Sequence, residues 1–296
     1  MRFGAWPSVT NPWAELAEEC RHIERAGWDG IWIGDHFMAN AEDNSGPWQE
    51  SWSMIAALAA LVPRLRLGTL VTGNTYRHPA VLAKAVAQAD IISGGRIVLG
   101  IGAGWQLNEH EAYGIPYFTA GERLRRLEES VQVIRSLFEN DRTTFEGRYY
   151  QLKEAPLAPK PVQAHLPILI GGGGEKVTLG IVARQADEWN VPGPPEVVAQ
   201  KLRILEEHCE REGRDPKSIK RTGAVLVAPG IEAGGLGRRG GFVTFNEVRD
   251  LSELARSYAD VGLDELIVHF DPRRPLPERE AFWSAFQAEV ARAFRG

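Results

Sequence analysis

Several absences narrow the chain before any motif is read. In 296 residues there are two cysteines, Cys20 and Cys209, far apart and with no C-x-x-C pair. That excludes a disulfide framework or a cysteine zinc knuckle, and both are read as buried reduced thiols in helical stretches. No apolar run approaches the roughly 18–20 residues needed to span a bilayer, so no membrane partner is expected. The opening MRFGAWPS lacks the basic-then-apolar layout of a secretory signal, and a cytoplasmic location is the expectation. Lys and Arg total 34 against 39 Asp and Glu, a net charge of −5 with no basic stripe, so a nucleic-acid partner is not expected. HEAYG at 110–114 lacks the second histidine of H-E-x-x-H, and no other metal-ligand spacing occurs, so no metal is expected. LGIGAGW at 99–105 has the wrong glycine spacing for a dinucleotide fingerprint, and GGGGEKVT lacks the Gly-Lys-Ser/Thr of a P-loop.

What is present is a rhythm. Short β-type runs at 2–6, 29–35, 64–71, 96–102, 166–171, 186–191, 219–228 and 265–270 alternate with eight longer helical patterns. Asn11-Pro12 opens the first helix and Gly27 closes it, the Pro-first, Gly-last asymmetry of helices. Eight β/α units over this length predict a (β/α)₈ TIM barrel with insertions, one domain over 1–296, in preference to an open Rossmann-like sheet. Three connections run long, at 35–50, 139–165 and 229–241. The first and third follow strands and belong on the C-terminal face, where barrel active sites form. The second follows a helix, which predicts the opposite end, although an insertion this long could wrap around; it carries a hairpin in TFEGRYYQL and a Pro-rich connector. The Gly/Arg-rich third reads either as a surface loop or as a lid.

On a barrel, the residues just after each strand share one rim. They include Asp35-His36, Thr72-Gly73-Asn74, Ala103-Gly104-Trp105 with Asn108 and Glu109 close by, the run Gly171–Gly174, and Trp189-Asn190. His36 stands out because a neighbouring carboxylate, here Asp35, can orient an imidazole and tune its basicity. His22 and His208 sit in helical patterns and read as packing residues. Four successive glycines are costly to order, so the bare backbone is needed there. Between a strand and a helix, with too few residues for a domain linker, N–H groups gathering an anion at the helix N-terminus are the better explanation, and a tight helix–barrel junction without a ligand is the other. A phosphate cradle, a rim of small residues and one histidine without a metal point to a phosphorylated organic cofactor.

Four of these stretches, GDHF at 34–37, LGTLVTGNTYRHPAVLAK at 67–84, GGRIVLGIGAGWQLNEHEAYGIP at 94–116 and ILIGGGGEKVTLGIVARQADEWN at 168–190, resemble the luciferase-like monooxygenase superfamily. Within it they are most similar to oxidoreductases that use coenzyme F420, an 8-hydroxy-5-deazaflavin. The resemblance implies a barrel with the ring in its mouth, Asp35 and His36 beside the ring, and His36 handling the proton. It implies a non-proline cis peptide at Leu70–Val71, with Thr72 and Asn74 bonding the ring or ribityl chain. Ala103, Gly104 and Asn108 would flank the ribityl side, and Gly172, Gly173 and Gly174 would hold the phosphate. Lys176, Arg238 and Arg239 are candidates for an oligoglutamate tail. The chain departs from the sugar-phosphate dehydrogenase branch in having Trp105 where that branch has a glutamate, and Asn40 where it has an aromatic. That points away from a glucose-6-phosphate-type substrate and towards a more apolar pocket.

The expectation is therefore an oxidoreductase passing a hydride between F420 and a small-molecule substrate, with His36 as acid/base. FMN chemistry on the same barrel, giving a flavin monooxygenase, is the nearest alternative. A non-catalytic flavin-binding protein and a cofactor-free sugar-phosphate isomerase are further ones. Superfamily members are often dimers, so a homodimer is expected.

Overall fold

In the computed structural model, which describes residues 1–230, 237–239 and 242–295, eight parallel strands close on themselves. They are β1 (Arg2–Ala5), β2 (Gly30–Ile33), β3 (Arg66–Thr69), β4 (Ile97–Gly102), β5 (Ile168–Gly171), β6 (Glu188–Pro192), β7 (Lys220–Pro229) and β8 (Glu265–Phe270). Each pairs in parallel with the next, and β8 returns to β1 with Arg2 opposite Glu265 and Ala5 opposite Val268. This is the (β/α)₈ barrel that the alternating pattern predicts.

The helices follow from their sequence stripes. In α1 (Trp13–Ala26) Leu16, Cys20 and Ile23 recur at helical spacing and are buried against the strands, while Gly27 caps the helix in the left-handed region at φ 89°. In α2 (Ser51–Leu61) the Glu50 carboxylate accepts from the N–H groups of Trp52 and Ser53. In α3 (Pro79–Ser93) Pro79 occupies the first turn, where its missing N–H costs nothing, and the His78 side chain caps it. An element absent from the sequence pattern is α4 (Leu107–Tyr113), a two-turn helix after β4. It is followed by α5 (Ala120–Glu139), α6 (Thr178–Gln185), α7 (Pro195–Arg211), α8 (Leu251–Asp260) and α9 (Leu276–Glu289). No described helix is long and apolar enough to cross a membrane.

Inside the ring, Trp32 fills the lower half. Gly4 and Gly68 on the flanking strands leave room for it, since a Cβ on either would stand 2.6 Å from the indole. Trp32 packs in one cluster with Leu70, Val98, Leu169 and Ile267.

The 139–165 connection corrects one expectation. Arg142–Glu146 and Gln151–Pro156 do form an antiparallel hairpin, and the connector is pinned at the foot, where buried Asp90 accepts from the N–H groups of Val162 and Gln163. Yet the hairpin tip climbs along α5 instead of staying at that end. The Glu129 carboxylate accepts from the N–H groups of Arg148, Tyr149 and Tyr150, and Tyr150 reaches His78 near the rim, ring centroids 5.5 Å apart. Of the 229–241 loop, residues 231–236 and 240–241 lie outside the described residues, as do the side chains of Arg238 and Arg239. Gly237–Arg239 and Phe242–Phe245 pair as a short hairpin that extends the sheet beyond the end of β7.

Candidate active site at the barrel mouth

The C-terminal ends of the strands surround a cavity of about 540 Å³. It is bounded by Trp6 after β1, His36 after β2, Leu70 to Gly73 after β3, Gly102 to Trp105 after β4, Gly171 to Gly174 after β5, and Ala224 and Leu226 on β7. The histidine and the tetraglycine run therefore share one concave surface, in the size range of small-molecule sites.

One wall is made by a bulge. The Leu70–Val71 peptide is cis, and the Val71 side chain lies against β4 and β5. Glycines make that possible: a Cβ on Gly102 or on Gly171 would stand 2.9 Å from Val71 Cγ2. The next two glycines serve other ends. Gly172 has φ 130°, which side-chain-bearing residues rarely adopt, and its carbonyl accepts from Trp189 Nε1 at 2.8 Å. A Cβ on Gly174 would stand 2.6 Å from Thr178 Oγ1. Gly173 has space on the protein side and borders the cavity. Among the described residues the N–H groups of Gly173 and Gly174 have no protein acceptor.

The imidazole of His36 is not held as the sequence suggests. Asp35 is fully buried and forms a two-pronged ion pair with Arg77, at 2.6 and 3.3 Å, which turns it away from the cavity. The partner of His36 is Glu109 on α4, whose Oε1 accepts from Nδ1 at 2.8 Å. The other oxygen of Glu109 accepts from the backbone N–H of Phe37 at 2.8 Å, and the Tyr76 hydroxyl donates to the same carboxylate. Burial opposes ionisation of Glu109, but the hydrogen bonds from His36, Phe37 and Tyr76 outweigh it and hold the carboxyl below its ordinary value. Burial and the adjacent carboxylate push the Tyr76 phenol up, so it stays protonated and acts as a donor. An ionised acceptor on Nδ1 fixes the tautomer and leaves Nε2 without a protein partner among the described residues, the arrangement of an acid/base histidine.

The other expected residues divide. Leu70, Val71, Thr72, Ala103, Gly104 and Gly172 to Gly174 border the cavity together. The Thr72 hydroxyl is already used, accepting from Trp52 Nε1 at 3.0 Å and donating to Thr69 at 3.2 Å. Asn74 is buried and does not border the cavity; its side chain lies beside the Tyr150 hydroxyl. Asn108 does not border the cavity; its Nδ2 donates to the Ala39 carbonyl at 2.9 Å, which ties α4 to the His36 loop. Lys176 is exposed. Two histidines read as packing do hold structure: His22 bonds Ser284, and His208 Nε2 donates to the Glu175 carbonyl at 2.7 Å, pinning the end of the glycine run.

The aromatic side of the mouth is Trp6 and Trp105. Trp105 is 59% exposed, and its ring meets His36 edge-on at 5.5 Å. Trp6 is backed by His269, whose Nδ1 donates to the Trp6 carbonyl at 2.8 Å and whose burial lowers its pKa. No lysine or arginine borders the cavity among the described residues.

The family model of the luciferase-like monooxygenases matches residues 1–233. The chain belongs to that family. Among its luciferase-like relatives is an F420-dependent glucose-6-phosphate dehydrogenase of Amycolatopsis mediterranei, 37% identical over 165 residues that make up 55% of this chain and 49% of the relative. Another of the same description, from Kineococcus radiotolerans, is 36% identical over 70% of this chain and 62% of the relative. The match thus spans about half to three fifths of these relatives' length. Among solved structures, an F420-dependent secondary alcohol dehydrogenase in complex with an F420-acetone adduct superposes with a TM-score of 0.86 over 98% of both chains, at 18% identity. At that identity the likeness speaks for the luciferase-like barrel alone.

Proposed function

We propose that this luciferase-like protein is an F420-dependent oxidoreductase in which His36, held by Glu109, handles the proton that accompanies hydride transfer to or from an organic substrate. The observation that carries the reading is the single cavity with the His36–Glu109 pair at one side and the open N–H groups of Gly173 and Gly174 at the other. The relatives described as F420-dependent support it.

The residues fit a phosphorylated deazaflavin on three counts. Leu70 and Val71 offer an apolar backing for a flat ring, and Ala103 and Gly104 leave the adjacent wall low enough for a sugar-like chain. His36 borders the cavity with its Nδ1 taken by Glu109, which leaves Nε2 for a ligand's polar edge. The glycine run offers main-chain donors to an anion at the start of α6. When bound, the deazaflavin supplies hydride transfer at its C5 carbon. Thr72 would contribute through its backbone, its hydroxyl being engaged. Asp35 and Asn108 act from behind, Asp35 by anchoring Arg77 and Asn108 by fixing the loop that carries His36.

Separate equilibrium titrations with F420 and FMN, followed by fluorescence, test the cofactor. Micromolar affinity for F420 with bleaching of its visible absorbance by substrate is the expected result. Tight FMN binding with oxygen consumption would replace this reading with the monooxygenase one.

The cavity wall beside His36 favours an uncharged substrate. A sugar phosphate would bring a further anion to a mouth whose described lining offers it no cation, and desolvating an unpaired charge is expensive. With F420 bound, turnover of an apolar secondary alcohol but not of glucose 6-phosphate is expected; efficient oxidation of the sugar phosphate would reject this substrate class.

A further inference from the structure

Main-chain N–H groups supply half of an anion site. They carry only partial charge, and the described lining of the cavity adds no cation. Just behind the glycine run lies one. Lys201 projects from α7 along the loop, so that a Cβ on Gly173 would stand 3.7 Å from its Cε. Its ammonium pairs with Glu175 at 2.6 Å, and Glu175 is the residue directly after the four glycines. Gln200 reaches the same carboxylate at 3.5 Å. The backbone of Glu175 is fixed by His208, whereas its carboxylate is half-exposed and held by these two α7 side chains.

A second, independent observation points to an anion at this place. Thr178, in the first turn of α6, is 6% exposed, borders the cavity, and its hydroxyl has no protein partner. Its Oγ1 lies against Gly174, 2.6 Å from where a Cβ would stand. The Thr178 hydroxyl and the Lys201 side chain thus flank the same two glycines, one at Gly174 on the cavity side and the other beside Gly173 from α7.

We infer that Lys201 is the counter-cation for the cofactor's phosphoryl group, and that Glu175 is an internal stand-in that yields the ammonium when the phosphoryl group arrives. The inference rests on the cofactor reading above. It gives the Lys201–Glu175 pair a sign that an ordinary surface ion pair lacks: removing the lysine weakens binding, and removing the glutamate strengthens it, because the carboxylate competes for the ammonium and repels the incoming anion.

The experiment is fluorescence titration of the whole protein with F420 and with its dephosphorylated riboside core, each at two ionic strengths. Lys201→Met is expected to weaken F420 binding about ten- to a hundredfold, the worth of a charge-assisted hydrogen bond, and to leave the core's affinity unchanged. Unchanged core binding also reports that the variant is folded. Lys201→Arg is expected to retain most of the F420 affinity, and Glu175→Gln to raise it several-fold. The wild-type preference for F420 over the core shrinks with added salt. Wild-type protein that binds neither compound removes the cofactor reading, and this inference with it. Wild-type protein that binds F420 while Lys201→Met binds it equally well, or while Glu175→Gln binds it worse, overturns the inference and leaves the cofactor reading standing.

Discussion

The two ends of this barrel solve opposite problems with similar residues. At the foot, Arg66 donates to Glu265 at 2.9 Å and to Glu188 at 2.6 Å, Trp32 Nε1 donates to Glu265 at 2.8 Å, and Arg2 and Lys220 approach the same two carboxylates. Two nearly fully buried carboxylates thus share three cations, and the ring is plugged by charge over indole. At the mouth, His36 Nε2, the Thr178 hydroxyl and two glycine N–H groups border the cavity with no protein partner among the described residues. The foot is not free of such groups, since one oxygen of Glu188 is buried without a partner, but only at the mouth do several open polar groups surround one cavity, as the proposed ligand site requires. The foot serves the fold and the mouth serves the ligand, the division expected of barrels.

The sharpest way to break that contrast is to remove one group from each end. His36→Ala is expected to lower turnover roughly 10²–10⁴-fold, the usual worth of a positioned acid/base, while leaving F420 affinity and the urea midpoint near wild type. A variant that keeps its turnover would strip the mouth of its proposed chemistry. Arg66→Met should do the reverse. Leaving buried carboxylates short of their cation costs about 3 kcal/mol in denaturant unfolding, with F420 affinity unchanged. Weakened F420 binding at intact stability would mean that the two ends are not separable.

A finer cut lies within the mouth, between the imidazole and the carboxylate that orients it. Glu109→Gln keeps shape but puts a neutral amide against Nδ1, so tautomer and proton affinity are no longer fixed. The expected outcome is a turnover loss of about 10²-fold or less, with KM little changed and the pH–rate profile displaced. An unaltered pH profile would reduce Glu109 to a packing group and return the question to Asp35.

That question shows what sequence spacing carries and what it does not. Strand and helix positions were legible because burial imposes a period on residues close in the chain, as in Leu16, Cys20 and Ile23. The His36 region, the small residues after β4 and the glycine run were legible because each follows its strand directly. The partner of His36 was not. Glu109 lies 73 residues away, on a seven-residue helix with no side-chain cap at Gln106, so LNEHEAY reads as loop. Asp35 looked like the partner through adjacency, but neighbours on an extended segment point to opposite faces, and one face here meets Arg77. The fit of Trp32 between Gly4 and Gly68 depends on register across three strands, which no local pattern encodes.

The smallest effect separates the ends by acid. A carboxyl whose folded value lies below its unfolded one contributes stability that is fully present above the unfolded value and is lost as pH falls through the folded one. Glu109 is such a group, with an ordinary value of 4.5. Its contribution is therefore constant through neutral pH and declines below about 4.5. Urea unfolding of wild type and Glu109→Gln should show a stability difference that is flat above that point and narrows beneath it, as the protonated carboxyl comes to resemble the amide. A difference that widens on acidification would mean that the carboxyl binds its proton more tightly folded than unfolded, and that the bonds from His36, Phe37 and Tyr76 do not outweigh the cost of burying it.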